Sequence, residues 1–254
     1  MPRPEDQLET RLDVELVRRG LSPSRTQARA AIEAGQVRID GVVAVRPGQP
    51  VTAGSNLEAG VAHPWVSRGG TKLAHALDVF GVSPTGRDCL DVGASTGGFC
   101  DVLLSRGARR VVAVDVGRGQ LHPGLAADGR VQSLEATDAR TLTARMIGEP
   151  PSLVVCDASF IGLEKILPVP LGLAAPGADL VALFKPQFEV GRPFVGKGGI
   201  VTDEAATTAA AARFEGWLAE VGWIAVGWTS SPITGGDGNR ERLVHARRVA
   251  PGLL

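Results

Sequence analysis

Cysteine is scarce in this chain: Cys89, Cys100 and Cys156 are the only three in 254 residues. None stands in a C-x-x-C spacing, which argues against a zinc site or a disulfide framework and for buried reduced thiols. The four histidines are scattered without ligand spacing, so no metal is implied. Neither sign of charge is in excess, with 27 Lys and Arg against 27 Asp and Glu. A polyanionic partner must therefore meet a local basic surface rather than a whole-molecule field. No apolar run approaches a membrane span, and the opening Met-Pro-Arg-Pro-Glu-Asp-Gln lacks the apolar core of a signal peptide. A cytoplasmic protein with no membrane partner is expected.

What is present divides into two parts. Residues 1–60 form a small unit, 61–69 a linker, and 70–254 a larger domain. In the small unit an apolar stripe of Leu8, Leu12 and Leu16 predicts a helix to Arg19, closed by Gly20. A second helix runs from a Ser22 or Ser24 cap to Gly35. Val37-Arg38-Ile39 and Val42–Val45, joined by Asp40-Gly41, predict a hairpin. Pro47 to Pro64 is rich in Pro, Gly and Ser and should hold one last short strand before the linker. Arg25 and Arg29, four apart, share a helix face that is either solvated or a phosphate clamp; Arg38 and Arg46 extend the basic character. The text Arg11-Leu12-Asp13, Arg19-Gly20, Ser24-Arg25, Ala28, Ile32, Gly35, Val37 and Asp40-Gly41 resembles the RNA-binding module first known in ribosomal protein S-four. That resemblance implies RNA binding, with Arg11, Arg25, Arg29, Arg38, Arg46 and Arg68 as the candidate contacts.

The larger domain alternates strand and helix. Strands are predicted at 89–93, 110–116, 131–136, 153–158, 179–185, 223–230 and 241–248, with helices at 71–80, 98–106, 161–173 and 203–221. The last two strands read as a hairpin around Gly235–Asn239. This is an α/β domain with a mainly parallel sheet, and ligands sit beyond the strand C-termini. The most informative stretch is Cys89-Leu90-Asp91-Val92-Gly93-Ala94-Ser95-Thr96-Gly97-Gly98-Phe99, a strand, an acidic end, a Gly-rich turn and a helix start. Glycine there would let the backbone approach a ligand, and helix N–H groups point into the same space. Asp115, ending the next strand, is placed for a ribose diol. With no Gly array for a pyrophosphate, a nucleoside ligand without phosphates fits, and S-adenosylmethionine fits best.

These motifs admit three other readings. Gly93-Ala94-Ser95-Thr96-Gly97 also matches a hydrolase nucleophile elbow, but no later His sits at a strand end and Asp91 and Asp115 would be idle. The turn could equally bind nothing. Gly191–Gly198 has Walker A spacing but ends in Gly198 where Ser or Thr should bind Mg²⁺, so a lid or RNA-contacting loop is the better reading.

Two further strands end in charge: Asp157, and Lys185 held extended by Pro186. Lys185 is either a snorkelling surface group or a tuned base. Asp157-Ala158-Ser159-Phe160 lacks the prolines of amine methyltransferases, and Cys156 precedes the Asp and should point away from it. A hydroxyl acceptor remains. Val66–Leu73, Asp91–Phe99, Asp115–Gln120, Val181–Val190 and Gly238–Glu241 resemble the TlyA family, bacterial ribosomal RNA 2′-O-methyltransferases of which some carry a haemolysin name. The resemblance implies a Rossmann-like methyltransferase of the FtsJ/RrmJ class with a catalytic tetrad at Lys72, Asp157, Lys185 and Glu241. It implies cofactor contacts at Asp91, Gly93, Ser95, Thr96, Gly97, Gly98, Phe99, Asp115, Asp138 and Asp157. Arg118 stands where the family has an aromatic, and Asp138 where it has Asn. A monomer acting on a cytidine of ribosomal RNA, in subunits or assembly intermediates, is expected. The alternative is an idle RNA-binding assembly factor or a haemolysin-like protein.

Overall fold

The computed structural model describes residues 9–33, 35–59, 64–235 and 238–249. Its contacts divide the chain into Met1–Arg68 and Gly69–Leu254, and each unit has its own apolar core. Residues 61–63 of the expected linker lie outside the described residues.

The first unit comprises β1 (Thr10–Arg11), α1 (Leu12–Arg18), α2 (Arg25–Glu33), β2 (Val37–Ile39), β3 (Val42–Val43), β4 (Pro50–Val51) and β5 (Leu57–Ala59). Leu12 and Leu16 on α1 meet Ala28, Ala31 and Ile32 on α2, with Val37, Val51 and Leu57 closing the core. The predicted first helix is shorter than its stripe suggested. Thr10 and Arg11 pair antiparallel with Val51 and Pro50, and the Leu12 and Asp13 N–H groups donate to Gln49 and Pro47. The entering chain is thus held by a distant segment, and the helix starts at Leu12; Leu8 lies outside the described residues. Asp40 and Gly41 both take positive φ (50° and 80°), the turn that suits the twist of a tight hairpin. The Pro/Gly/Ser-rich stretch holds two short strands, β4 and β5, rather than one.

The second unit runs α3 (Gly69–Phe80), β6 (Asp88–Val92), α4 (Gly98–Ser105), β7 (Arg110–Val114), α5 (Pro123–Ala126), β8 (Val131–Leu134), α6 (Ala144–Ile147) and β9 (Leu153–Cys156). It continues through α7 (Leu163–Ile166), α8 (Pro168–Leu173), β10 (Asp179–Phe184), α9 (Pro186–Glu189), α10 (Glu204–Glu220), β11 (Trp223–Ser230) and β12 (Arg242–Arg248). The seven strands order as β11-β12-β10-β9-β6-β7-β8. Six run in one direction, and only β12 is reversed, pairing antiparallel with both β10 and β11. Every residue of β10 is buried, as expected for a strand covered on both faces. The single helix expected at 161–173 is two short ones, because Pro168 has no N–H to continue the ladder.

The chain leaves β6 toward β7 on one side and finds β9 on the other. This is the switch point at which such sheets open a crevice beyond their C-terminal edge. Gly236 and Asp237, in the expected final turn, lie outside the described residues. Among the described residues no helix is long and apolar enough to cross a membrane.

Candidate active site

The turn after β6 is shaped by packing as much as by any ligand. Gly93 has φ +83°, and a β-carbon there would lie 2.9 Å from the backbone of Ala158. Gly97 has φ +95°, and its missing β-carbon is replaced by the side chains of Leu121 and Leu125. Gly93 is therefore needed by neighbouring backbone, a reason the motif alone did not disclose, while Gly97 is required chiefly by its own positive φ. Ser95, between them, has φ 48°, an uncommon conformation for a side-chain-bearing residue. It points its N–H at Asp115 Oδ2 (2.8 Å), while Gly117 N–H donates to Asp115 Oδ1 (2.7 Å). The carboxylate that follows β7 is thereby fixed from two sides, and each oxygen keeps lone-pair capacity for a diol.

Asp115 faces a cavity of about 450 Å³, the size of a small-molecule site. Gly93, Ser95, Asp138 and Asp157 line it as well. Thr96, Gly97, Gly98 and Phe99 do not, and Phe99 is packed in the core at 3% exposure. Asp91 lies behind the lining, fully buried; Cys100 Sγ donates to its Oδ2 at 3.0 Å and its Oδ1 has no partner. Burial, reinforced by the charges of Asp157 and Asp115, pushes its carboxyl up to about 7. Asp138 caps the short turn 139–141 and holds Arg140 at 2.6 Å. That guanidinium keeps the Asp138 carboxyl below its ordinary range. Cys156 is buried in the core and does not line the cavity, and burial pushes its thiol up to about 12.

The four charged residues at the sheet edge form two ion pairs. Lys185 Nζ stands 2.7 Å from Asp157 Oδ1, and Lys72, from α3, pairs with Glu241. Phe184 is opposite Arg242 in the β10–β12 ladder, so Lys185 and Glu241 are the next neighbours across it. Lys72, Lys185 and Glu241 are each less than a tenth exposed, which strengthens every electrostatic contact among them. The Lys185–Asp157 contact is one of charge rather than an aligned hydrogen bond. The ammonium directs its hydrogens to Ser159 Oγ at 2.8 Å and the Asp157 carbonyl at 3.4 Å.

Sequence reasoning missed Ser159, Phe160, Glu189 and Asn239. Ser159 and Phe160 line the cavity beside Asp157. Phe160 is 91% exposed with φ +67°, its ring 5.5 Å from Phe188. An apolar residue in a strand-exit segment reads as core, so only its exposure reveals it. Glu189, buried on α9, accepts the Leu163 N–H at 2.9 Å and so ties the Ser159–Phe160 loop to the segment after Lys185. Burial pushes its carboxyl up to about 7. Asn239, also buried, binds Gly199 and Val201 (2.9 Å each), pinning the chain just after the segment with Walker-like spacing.

In the first unit Arg11, Arg25 and Arg29 gather on Asp13. Arg38 donates to the Gly41 carbonyl in the hairpin turn, Arg46 is exposed, and Arg68 lies 4.0 Å from Glu33. The structure brings three of the six expected arginines together and leaves the other three apart.

Comparison with known proteins matches residues 65–248 to the FtsJ-like methyltransferase family and residues 10–57 to the S4 domain. The chain is 49% identical over 239 residues to the 16S/23S rRNA (cytidine-2′-O)-methyltransferase TlyA of Mycobacterium tuberculosis, spanning 93% of this chain and 89% of that one. It is 39% identical over 236 residues to Hemolysin A of Brachyspira hyodysenteriae, spanning 92% and 98%. A solved structure from Streptococcus thermophilus, also hemolysin-named, superposes with a TM-score of 0.75 at 39% identity, covering 95% of this chain and 89% of that one. The fold of the second unit is shared with a methyltransferase structure from Listeria monocytogenes at 12% identity and a TM-score of 0.54, covering 72% of this chain and 99% of that one. With both units matched and the likeness running along nearly the whole length, the chain belongs to the TlyA family of FtsJ-like methyltransferases.

Proposed function

We propose that this protein transfers a methyl group from S-adenosylmethionine to a cytidine ribose 2′-hydroxyl in ribosomal RNA. One observation carries the reading: Asp157 lines the same cavity as Asp115 while facing Lys185 at 2.7 Å. A carboxylate suited to a ribose diol and the ion partner of a buried lysine thus line one cavity. The relative from M. tuberculosis carries this activity in its name, and the family places the chemistry in this unit.

The residues fit the cofactor. Asp115 offers two oriented oxygens to a ribose diol. Asp138 stands at the cavity wall as an acceptor for an amine. The unpartnered Asp91 Oδ1 leaves unmet acceptor capacity behind the turn, where a cationic amino group would satisfy it. S-adenosylmethionine supplies an electrophilic methyl group on a sulfonium. The chain supplies the rest. Lys185, reacting as the neutral amine, takes the 2′-hydroxyl proton on Nζ as the oxygen attacks; Asp157 and Ser159 then hold the ammonium that results, and Lys72 brings a positive charge toward the developing alkoxide. Glu241 holds Lys72 in place.

The S4 domain captures the RNA, and the substrate is ribosomal RNA within subunits or assembly intermediates. The enzyme works as a monomer in the cytoplasm, and the RNA-binding part corresponds to residues 1–60. The test is incubation of ribosomal subunits with labelled S-adenosylmethionine, followed by alkaline hydrolysis. An alkali-resistant dinucleotide containing methylated cytidine is expected; an alkali-cleavable methylated product places the methyl on a base instead. No incorporation into any subunit or intermediate would overturn the reading.

A further inference from the structure

Residues 1–68 contain no lysine, and their nine arginines face eight carboxylates. Bulk charge therefore does not make the first unit attractive to RNA. The fold treats two of its buried carboxylates differently. Glu15 accepts from Arg18 and Arg19 at 2.7 Å each. Arg19 then donates to the carbonyls of Thr52, Ala53 and Ser55 at 2.7 to 3.0 Å and is only 22% exposed. That arrangement pins α1 to the loop before β5 and is structural.

Asp13 is built otherwise. Its side chain is 0% exposed, and guanidiniums reach it from two elements. Arg11, on β1, donates to both oxygens at 3.0 and 3.2 Å. Arg25, on α2, donates to Oδ2 at 3.2 Å, and Arg29, one turn on, lies 3.7 Å from the same oxygen. These pairings, that with Arg11 above all, hold the Asp13 carboxyl below its ordinary range. Yet Arg11, Arg25 and Arg29 remain 50%, 59% and 56% exposed. Among the described residues they have no acceptor other than Asp13, unlike Arg19.

One guanidinium would neutralise one carboxylate. Three around one leave a surplus of positive charge, with the forks of Arg11 and Arg25 held by hydrogen bonds, Arg29 drawn beside them by charge, and all three open to solvent. Planar forks match phosphate oxygens two at a time, and side chains ordered beforehand lose less freedom when the ligand arrives.

We propose that Asp13 is the positioning residue of a backbone-phosphate site formed by Arg11, Arg25 and Arg29, so that a buried negative charge strengthens the hold on RNA. This rests on the reading of the first unit as the RNA-binding part. Charge counting and positioning predict opposite signs for one variant. Asp13→Asn removes a negative charge from a polyanion-binding face, which by charge alone tightens binding. Positioning predicts weaker binding, since the forks lose their common anchor.

The experiment measures binding of purified bacterial ribosomal RNA to full-length wild type, Asp13→Asn, Arg25→Lys and Arg29→Lys between 50 and 200 mM KCl. Asp13→Asn should bind ~10-fold more weakly or worse, with a salt slope shallower by about one unit. S-adenosylmethionine affinity should be unchanged. The two lysine variants keep the charge but lose the fork, and should also weaken by several fold. If Asp13→Asn binds as wild type or tighter, the role given to Asp13 is overturned. If that variant loses the folding transition of its unit, the lysine variants decide, and wild-type affinity in both overturns the proposal. Wild type that shows no salt-dependent RNA binding overturns the RNA reading itself, and the proposal with it.

Discussion

Gly93 and Ala158 are in backbone contact: a β-carbon on Gly93 would lie 2.9 Å from both the N and the Cα of Ala158. The turn that follows β6 and the segment that carries Asp157 out of β9 are thus set against each other without side chains between them. Their two carboxylates, Asp91 and Asp157, are close enough to interact through their charges.

Gly93→Ala should therefore cost more than the strain of a positive φ. The expected loss is about 2–4 kcal/mol, a conformational cost plus a backbone shift, with S-adenosylmethionine affinity falling alongside. Gly119→Ala is the control: its φ is +62° with nothing within 4 Å of the added carbon, so strain alone should act, at about 1–2 kcal/mol. Thermal melts and calorimetric titration would measure both; equal losses in the two variants would refute the packing argument.

Lys185→Ala should keep S-adenosylmethionine binding and lose turnover by ~10²-fold or more, the usual consequence of deleting a general base. Lys185→Arg should fail as well, because a guanidinium cannot accept the proton. Single-turnover rates decide the matter. A near-normal rate for the arginine variant would make Lys185 an electrostatic group and not the base.

Asp115→Asn is expected to weaken S-adenosylmethionine binding at least ~10-fold. One amide oxygen cannot accept from both Ser95 and Gly117 and still receive a diol. Calorimetric titration would show this, while ribosomal RNA affinity should be unaltered.

Phe160 stands 91% exposed beside the cavity, and its ring offers a face on which a base out of its stack can rest. Phe160→Ala should leave S-adenosylmethionine affinity unchanged and lower kcat/KM for RNA by ~10-fold or more, the usual value of base–aromatic stacking. An unchanged kcat/KM would remove the ring from substrate recognition.

Asp179, buried at the far end of β10, is bound by His245, Arg87 and Arg247, which bring its carboxyl down to about 2. Because the folded value lies below the unfolded one near 3.8, its stabilisation is complete above pH ~4 and lost as pH falls toward 2. The amount is about 2 kcal/mol. Urea denaturation of wild type and Asp179→Asn between pH 6 and 2.5 should show the difference shrinking through that window. Asp91 and Glu189, raised to about 7, act at higher pH and cancel in the comparison. A difference independent of pH would exclude the linkage.

Much of the catalytic unit was legible in the order of its residues. Runs such as Leu153–Cys156 and Asp179–Phe184 are apolar over a strand length, and the residues that close them are the charged ones. Strand periodicity and the fixed geometry of a parallel sheet then place Asp115, Asp157 and Lys185 on one edge, since each property is local to its own segment. Likeness to a family grouped Asp157 and Lys185 with Lys72 and Glu241 as an expected tetrad, but the pairing of Lys72 with Glu241 across 169 residues belongs to the fold.

Tertiary structure alone decided the rest, wherever the partner was distant in the chain. The first helix begins at Leu12 because Gln49 and Pro47 accept its leading N–H groups. Gly93 is glycine because of Ala158, and Phe160 is exposed although its composition suits a core. Asp13 becomes the centre of three arginines only when α2 folds back over it. Apolar periodicity and turn chemistry are carried by neighbours a few residues away. Backbone contacts, shared counter-ions and the exposure of one ring depend on which segments meet in space.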